Sequence, residues 1–198
     1  MIAKRSFFSI FFANFAVSMK PIFLIGYMGC GKSTLGRALS AATGLEFIDL
    51  DHYIEARFHT TVSELFASRG EDGFRRAERA MLDETSQFTD VVIACGGGTP
   101  CFFDNMEVMN SRGLTVWLNT PLERLYERLQ RNRSKRPILA NKTDAELMEF
   151  IVGALRAREQ YYSQASATFC ATLLEDKTQI TTTARHFAER FNLPLLQQ

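Results

Sequence analysis

The sequence predicts a single α/β domain built on a parallel sheet with helices on both faces. Two observations predict it. From Lys20 onward short apolar runs alternate with longer amphipathic segments, and strands that alternate with helices imply right-handed crossovers and parallel pairing. The first apolar run also ends in a glycine-rich loop that opens a helix. At 198 residues with an apolar fraction of 46%, the chain suits one compact core.

In chain order, the apolar runs place strands at 21–25, 46–50, 91–94, 114–118 and 169–173. Helical patterns fall at 33–42, 62–68, 73–87, 104–110, 121–131, 144–162 and 178–191. No repeat, low-complexity tract or long linker interrupts them. Residues 19–198 are therefore expected to form one domain. The first 18 residues stand apart. Lys4 and Arg5 precede an apolar run from Phe7 to Val17, and Ala16-Val17-Ser18 resembles a signal-peptide cleavage site. The run is short for a membrane span, and an apolar strand begins just after Met19. The expectation is an N-terminal extension outside the fold, with Met19 as the working start.

Charge excludes some functions. The 23 Lys and Arg balance 22 Asp and Glu for a formal +1, which argues against a nucleic-acid or membrane-surface binder. Cys30, Cys95, Cys101 and Cys170 form no CxxC pair and lack metal-site spacing. Reduced thiols in a cytoplasmic protein are expected.

Gly26-Tyr27-Met28-Gly29-Cys30-Gly31-Lys32-Ser33-Thr34 carries the strongest signal. It matches G-x-x-x-x-G-K-[ST] between a strand and a helix. The glycines let backbone N–H groups wrap phosphates, Lys32 reaches the β- and γ-phosphates, and the Ser33 hydroxyl suits Mg²⁺. Gly29, Cys30, Gly31, Lys32, Ser33 and Thr34 are the expected phosphate-binding residues.

Four other clusters bear on the chemistry. Asp49 and Asp51 are two apart, so in an extended segment both carboxylates face one side; one could orient a metal's water and the other take a proton from an acceptor hydroxyl. The alternative is a helix N-cap at Asp51. Arg75 and Glu78 share a helix face: either a solvated ion pair or an arginine fork for a substrate carboxylate. Gly96-Gly97-Gly98, after the third strand, suits close backbone approach to a ligand. Arg128, Arg131, Arg133, Lys135 and Arg136 crowd nine residues without an acid, which reads as a mobile lid near 128–143 that brings positive charge to a transferring phosphoryl group. Arg158 reads from spacing alone as a surface arginine. Asn141-Lys142-Thr143-Asp144 matches a guanine-recognition motif, but Thr143 or Asp144 can equally cap the next helix.

In this order the motifs resemble those of the shikimate kinase family from Lys20 to the C-terminus: the phosphate loop, Asp49-Leu50-Asp51, Phe74-Arg75-Arg76-x-Glu78, the triple glycine, Arg136-Pro137, and Arg158 before Tyr161-Tyr162. The resemblance implies a three-layer P-loop kinase fold with strand order 2-3-1-4-5. It also implies transfer of the ATP γ-phosphoryl to the 3-hydroxyl of shikimate, a step toward chorismate and the aromatic amino acids. Lys32 and Arg136 would act on the phosphates, with Ser33 on Mg²⁺ and Asp49 reaching that ion through water. Asp51 would be the general base. Arg75 and Arg158 would hold the shikimate carboxylate, in a binding region near 50–80, and Gly96, Gly97 and Gly98 would line the pocket. Arg128 would pack on adenine. A monomer with no nucleic-acid or membrane partner is expected. The alternatives are a gluconate-type kinase, a GTP-binding switch and a non-catalytic relative. Cys30 and Cys95 stand where other small residues are expected in such proteins, and could make activity sensitive to alkylation.

Overall fold

The computed structural model describes residues 18–196. The expectations for the extension therefore lie, apart from Ser18, outside the described residues. Five strands form one sheet: β1 (Ile22–Ile25), β2 (Glu46–Asp49), β3 (Val91–Ala94), β4 (Leu114–Leu118) and β5 (Ala167–Phe169). All neighbours pair in parallel, in the order β2-β3-β1-β4-β5. The sheet buries its middle most deeply: β1 and β3 are apolar at every position and wholly buried, as strands covered on both faces must be. The edge strand β2 carries Glu46 and Asp49 and is partly exposed.

Topology assigns the helices to faces. From β1 the chain moves outward to β2 through α1 (Lys32–Thr43), and every later crossover runs the opposite way along the sheet. Right-handed connections therefore put α1 on one face. The other face receives α3 (Val62–Thr85), α4 (Asn105–Arg112), α5 (Leu122–Arg131) and α7 (Asp144–Tyr162), with α3 against α4 and α5 against α7. After β5 the chain returns in α8 (Lys177–Arg190), which packs on α1. Connections leave β1 and β3 in opposite directions, so the crevice between their carboxyl ends is the switch point where such sheets bind ligands. The register closes it tightly: Leu24 lies beside Ala94, and Cys95 N–H donates to the Leu24 carbonyl at 3.0 Å.

Several elements differ from the sequence reading. β5 sits at Ala167–Phe169, because its register with β4 pairs Val116 with Ala167 and Leu118 with Phe169; residues 170–175 then leave the sheet. A further helix, α2 (Leu50–Phe58), follows β2 directly, with Asp49 at its N-cap and Asp51 in its first turn. Asp51 is thus neither extended nor the cap. The break read between residues 68 and 73 is real, but it is a kink: α3 is continuous except at Gly70, whose φ of 67° no ordinary helical residue adopts. The basic run is more ordered than its charge suggests. It contains the last turn of α5, a 3-10 turn at Arg133–Lys135 and the short helix α6 (Pro137–Ala140). Its partners are acids outside the run: Arg128 and Arg131 both pair with Glu175, Arg131 also with Glu127 one turn back, and Arg133 with Asp144. Thr143 caps α7 in a reciprocal box with Glu146, so the guanine-motif look-alike is a helix start.

Candidate active site

A cavity of about 470 Å³ opens at the switch point, lined by Gly29, Gly31, Lys32, Ser33, Thr34, Asp49, Asp51, Gly96, Gly97, Arg128 and Arg136 among others. The phosphate loop forms one wall. Gly31, at φ 101°, is the N-cap of α1, which has no side-chain cap and no acid in its first turn. Its first N–H groups are therefore left for an anion. A Cβ on Gly31 would come within 2.3 Å of a Leu174 methyl, so the loop also needs glycine there to let the 170–175 segment close beside it. Cys30 differs from its neighbours. Its thiol is wholly buried, its N–H donates to the Tyr27 carbonyl, and its carbonyl accepts from Thr120. It shapes the loop without lining the cavity.

Lys32 Nζ folds back on the Gly26 and Tyr27 carbonyls at 2.8 and 3.2 Å, a position held by acceptors that a phosphate could replace. The Ser33 hydroxyl donates to Asp49 Oδ2 at 2.6 Å, which leaves the oxygen's lone pairs for a cation. Asp51 lies deeper. Burial, then the nearby charges of Asp49 and Glu78, push its carboxyl up to about 6, against the opposing pull of Lys32. Among the described residues no three His, Cys, Asp or Glu side chains cluster to hold a metal. Ser33 with Asp49 one shell out suits Mg²⁺, which usually keeps several waters and binds with substrate phosphates.

The triple glycine organises the other wall. A Cβ on Gly96 would stand 3.1 Å from Asp51 Oδ1, one on Gly97 3.4 Å from Arg158 Nη1, and one on Gly98 2.8 Å from Arg75 Nη2. Three successive glycines thus let an acid and two arginines, from three separate helices, converge on one stretch of backbone. None of the three has the positive φ that would itself demand glycine. Space is the reason at Gly96 and Gly98, where a Cβ would crowd the site's own side chains, whereas one on Gly97 would make ordinary contacts.

The two arginines are held differently. Arg75 Nη1 donates to Glu78 Oε2 at 2.8 Å, with Glu71 at 3.4 Å, and its guanidinium lies 4.0 Å from the Phe102 ring centre. Glu78 is only 1% exposed and also accepts from Thr99 Oγ1 at 2.6 Å. The pair is a buried clamp rather than a solvated one, and Arg75 Nε has no hydrogen-bond partner among the described residues. Arg158 forms no ion pair among the described residues; it lies over the Tyr27 ring, 5.5 Å from its centre. Tyr162, four residues on, donates from its hydroxyl to the Gly97 carbonyl at 2.6 Å and fastens α7 to the triple glycine.

Arg128 is wedged between the phosphate loop and the segment after β5. It donates to the Gly29 carbonyl at 3.3 Å, the Thr172 carbonyl at 2.9 Å and Glu175 at 2.8 Å. Arg136 lines the same cavity. Lys32, Asp49, Asp51, Arg128 and Arg136 thus line the crevice, and Arg75 and Arg158 border its triple glycine, whereas Arg131 pairs with Glu127 and Glu175 and Arg133 with Asp144. Sequence reasoning missed the supports: Thr99, Phe102 and Glu175 lie in no motif with a chemical signature, Tyr162 stands in the sequence only as a motif neighbour of Arg158 without a role, and only folding brings them to the residues they hold.

Comparison with known proteins agrees. The family model described as shikimate kinase matches residues 28–191. A shikimate kinase of Phocaeicola vulgatus is 54% identical over 174 residues, spanning 88% of this chain and 99% of that protein. The crystal structure of shikimate kinase from Bacteroides thetaiotaomicron superposes with a TM-score of 0.85 at 52% identity, covering 89% of this chain and all of the other. The shikimate kinase of Acinetobacter baumannii, solved in complex with shikimate, gives a TM-score of 0.76 at 31% identity over 88% and 93% of the two chains.

Proposed function

The chain belongs to the shikimate kinase family, and within the reaction of that family we propose a role for each residue of the crevice. The enzyme transfers a phosphoryl group from ATP to shikimate, a step in aromatic amino acid biosynthesis. The finer assignment is to the 3-hydroxyl. One observation carries the arrangement: Asp51, Arg158 and Arg75 abut Gly96, Gly97 and Gly98 in turn, while Asp51 also lines the cavity of the phosphate loop. An acceptor whose carboxylate meets the arginines thereby presents a hydroxyl to Asp51, facing the nucleotide's terminal phosphate.

In the nucleotide complex, Lys32 exchanges its carbonyl partners for the β- and γ-phosphate oxygens, and the α1 N-terminus supplies backbone donors. Ser33 and Asp49 would hold Mg²⁺, which neutralises phosphate charge when bound. Arg128 offers a fixed guanidinium plane for adenine. Asp51 accepts the shikimate hydroxyl proton as that oxygen bonds to the γ-phosphorus and the bond to the β-phosphate oxygen breaks, releasing ADP. Its raised pKa suits the task, since a base works best near the operating pH. Arg136 adds positive charge where the transferred group carries most of its negative charge. Most of the catalytic gain is positioning and charge stabilisation.

Among the described residues no helix is long and apolar enough to cross a membrane. A monomer working in the cytoplasm, without nucleic-acid or membrane partners, fits a reaction whose substrates are ATP and a small acid. ADP release measured with shikimate, gluconate and no acceptor, each with ATP and Mg²⁺, tests the reading. Turnover with shikimate alone is expected, and turnover with gluconate alone would overturn it.

A further inference from the structure

Tyr27 belongs to the phosphate loop by sequence, yet its side chain serves the other end of the reaction. It is 1% exposed. Its backbone carbonyl accepts from Lys32 Nζ, while its ring lies beneath the Arg158 guanidinium. Arg158 and the residues flanking Tyr27 border the same side of the triple glycine: a Cβ on Gly97 would meet Arg158 Nη1 at 3.4 Å, the Gly26 carbonyl at 3.5 Å and Met28 N at 3.5 Å. We propose that Tyr27 is a positioning residue for the acceptor: its ring holds Arg158 over the crevice and leaves the guanidinium charge for the substrate carboxylate. This rests on the role given to Arg158 above.

The physical reason lies in the contrast between the two arginines. Arg75 is oriented by carboxylates, which occupy its N–H groups and offset its charge. A ring face attracts a guanidinium through its quadrupole and uses no N–H donor. Arg158, carried on the ring and without an ion pair among the described residues, is thus the arginine whose charge is not already neutralised. Arg158 and Arg136 both bear electrostatically on Tyr27, opposing the rise that burial gives its phenol. The phenolic hydroxyl itself is buried and has no hydrogen-bond partner among the described residues. The support therefore comes from the ring and not from the hydroxyl.

The test is steady-state kinetics with shikimate and MgATP on Tyr27→Leu, Tyr27→Phe, Arg158→Ala and the Tyr27→Leu/Arg158→Ala double variant, with Tyr27→Met as a second ring-less side chain should the leucine variant fold poorly. Loss of the ring should raise KM for shikimate roughly 3- to 30-fold and move KM for ATP less than about twofold. Tyr27→Phe should restore the shikimate KM to within about twofold of the parent. In the Arg158→Ala background, Tyr27→Leu should add nothing. Additive losses, a phenylalanine variant as impaired as the leucine one, or equal rises in both KM values would overturn the role of Tyr27 while leaving that of Arg158. An Arg158→Ala variant with unchanged shikimate KM would overturn both.

Discussion

Replacing Asp51 by asparagine should make the enzyme more stable as it makes it inactive. The folded protein raises this carboxyl from its ordinary 3.8 to about 6, chiefly by burial and then by the charges of Asp49 and Glu78. That difference corresponds to about 3 kcal/mol of native-state penalty on the ionised form. The sign is fixed by the direction. Below about pH 4 the carboxyl is protonated in folded and unfolded chains alike, and the folded state suffers no penalty. Between about 4 and 6 the unfolded chain ionises first and parental stability falls; above about 6 the loss is complete. Asparagine keeps the shape and cannot ionise. Thermal melts of the nucleotide-free proteins should coincide near pH 4 and separate through pH 6. At pH 7.5 the variant should melt higher by roughly 4–12 °C, for a gain of about 2–3 kcal/mol in a chain of this size. Turnover should fall about 10²- to 10⁴-fold, the usual cost of losing a general base. A variant that melts lower than the parent at pH 7.5, or a gap independent of pH, would refute the electrostatic argument. Retained turnover would refute the catalytic one.

The paired arginines should separate in the same melting assay. Arg75→Ala leaves Glu78, 1% exposed, without its cation and should cost about 3 kcal/mol, with Glu78→Gln in the same chain recovering part of it. Arg158→Ala breaks no ion pair among the described residues and should melt close to the parent, although both substitutions raise KM for shikimate. Arg136→Ala should lower kcat by about 10²-fold and weaken ATP binding, measured by calorimetry, far less. The thiols should not control activity. Cys30 and Cys95 are buried, burial pushes the Cys95 thiol up, and Cys170 is exposed, so mass spectrometry after brief alkylation should find Cys170 modified first with the rate retained.

Periodicity and motif spacing made the architecture legible. Short apolar runs between turn residues and amphipathic helices fit strands buried on both faces, and glycine-rich loops at strand ends point to the sheet's carboxyl edge. The phosphate loop is legible for the same reason: its function depends on backbone and chain neighbours, so nine consecutive residues contain it. Boundaries were less legible where register decides them. The strand read at 169–173 starts two residues and ends four residues earlier because β4 selects Ala167–Phe169 as its partner, and no local pattern in the chain carries that choice.

The chain alone determined which chemistry is present: a lysine and serine for phosphates, an acid for a hydroxyl, and arginines for anions. Tertiary structure decided what state those groups are in. Asp51 becomes a base near neutrality only because folding buries it beside Asp49 and Glu78, and Glu78 becomes a clamp only because the core closes over it. Arg158 reads as a surface residue until Tyr27, more than a hundred residues away in sequence, is placed beneath it. Residue identity is a local property of the chain. Desolvation and through-space charge are sums over neighbours that only the fold assembles.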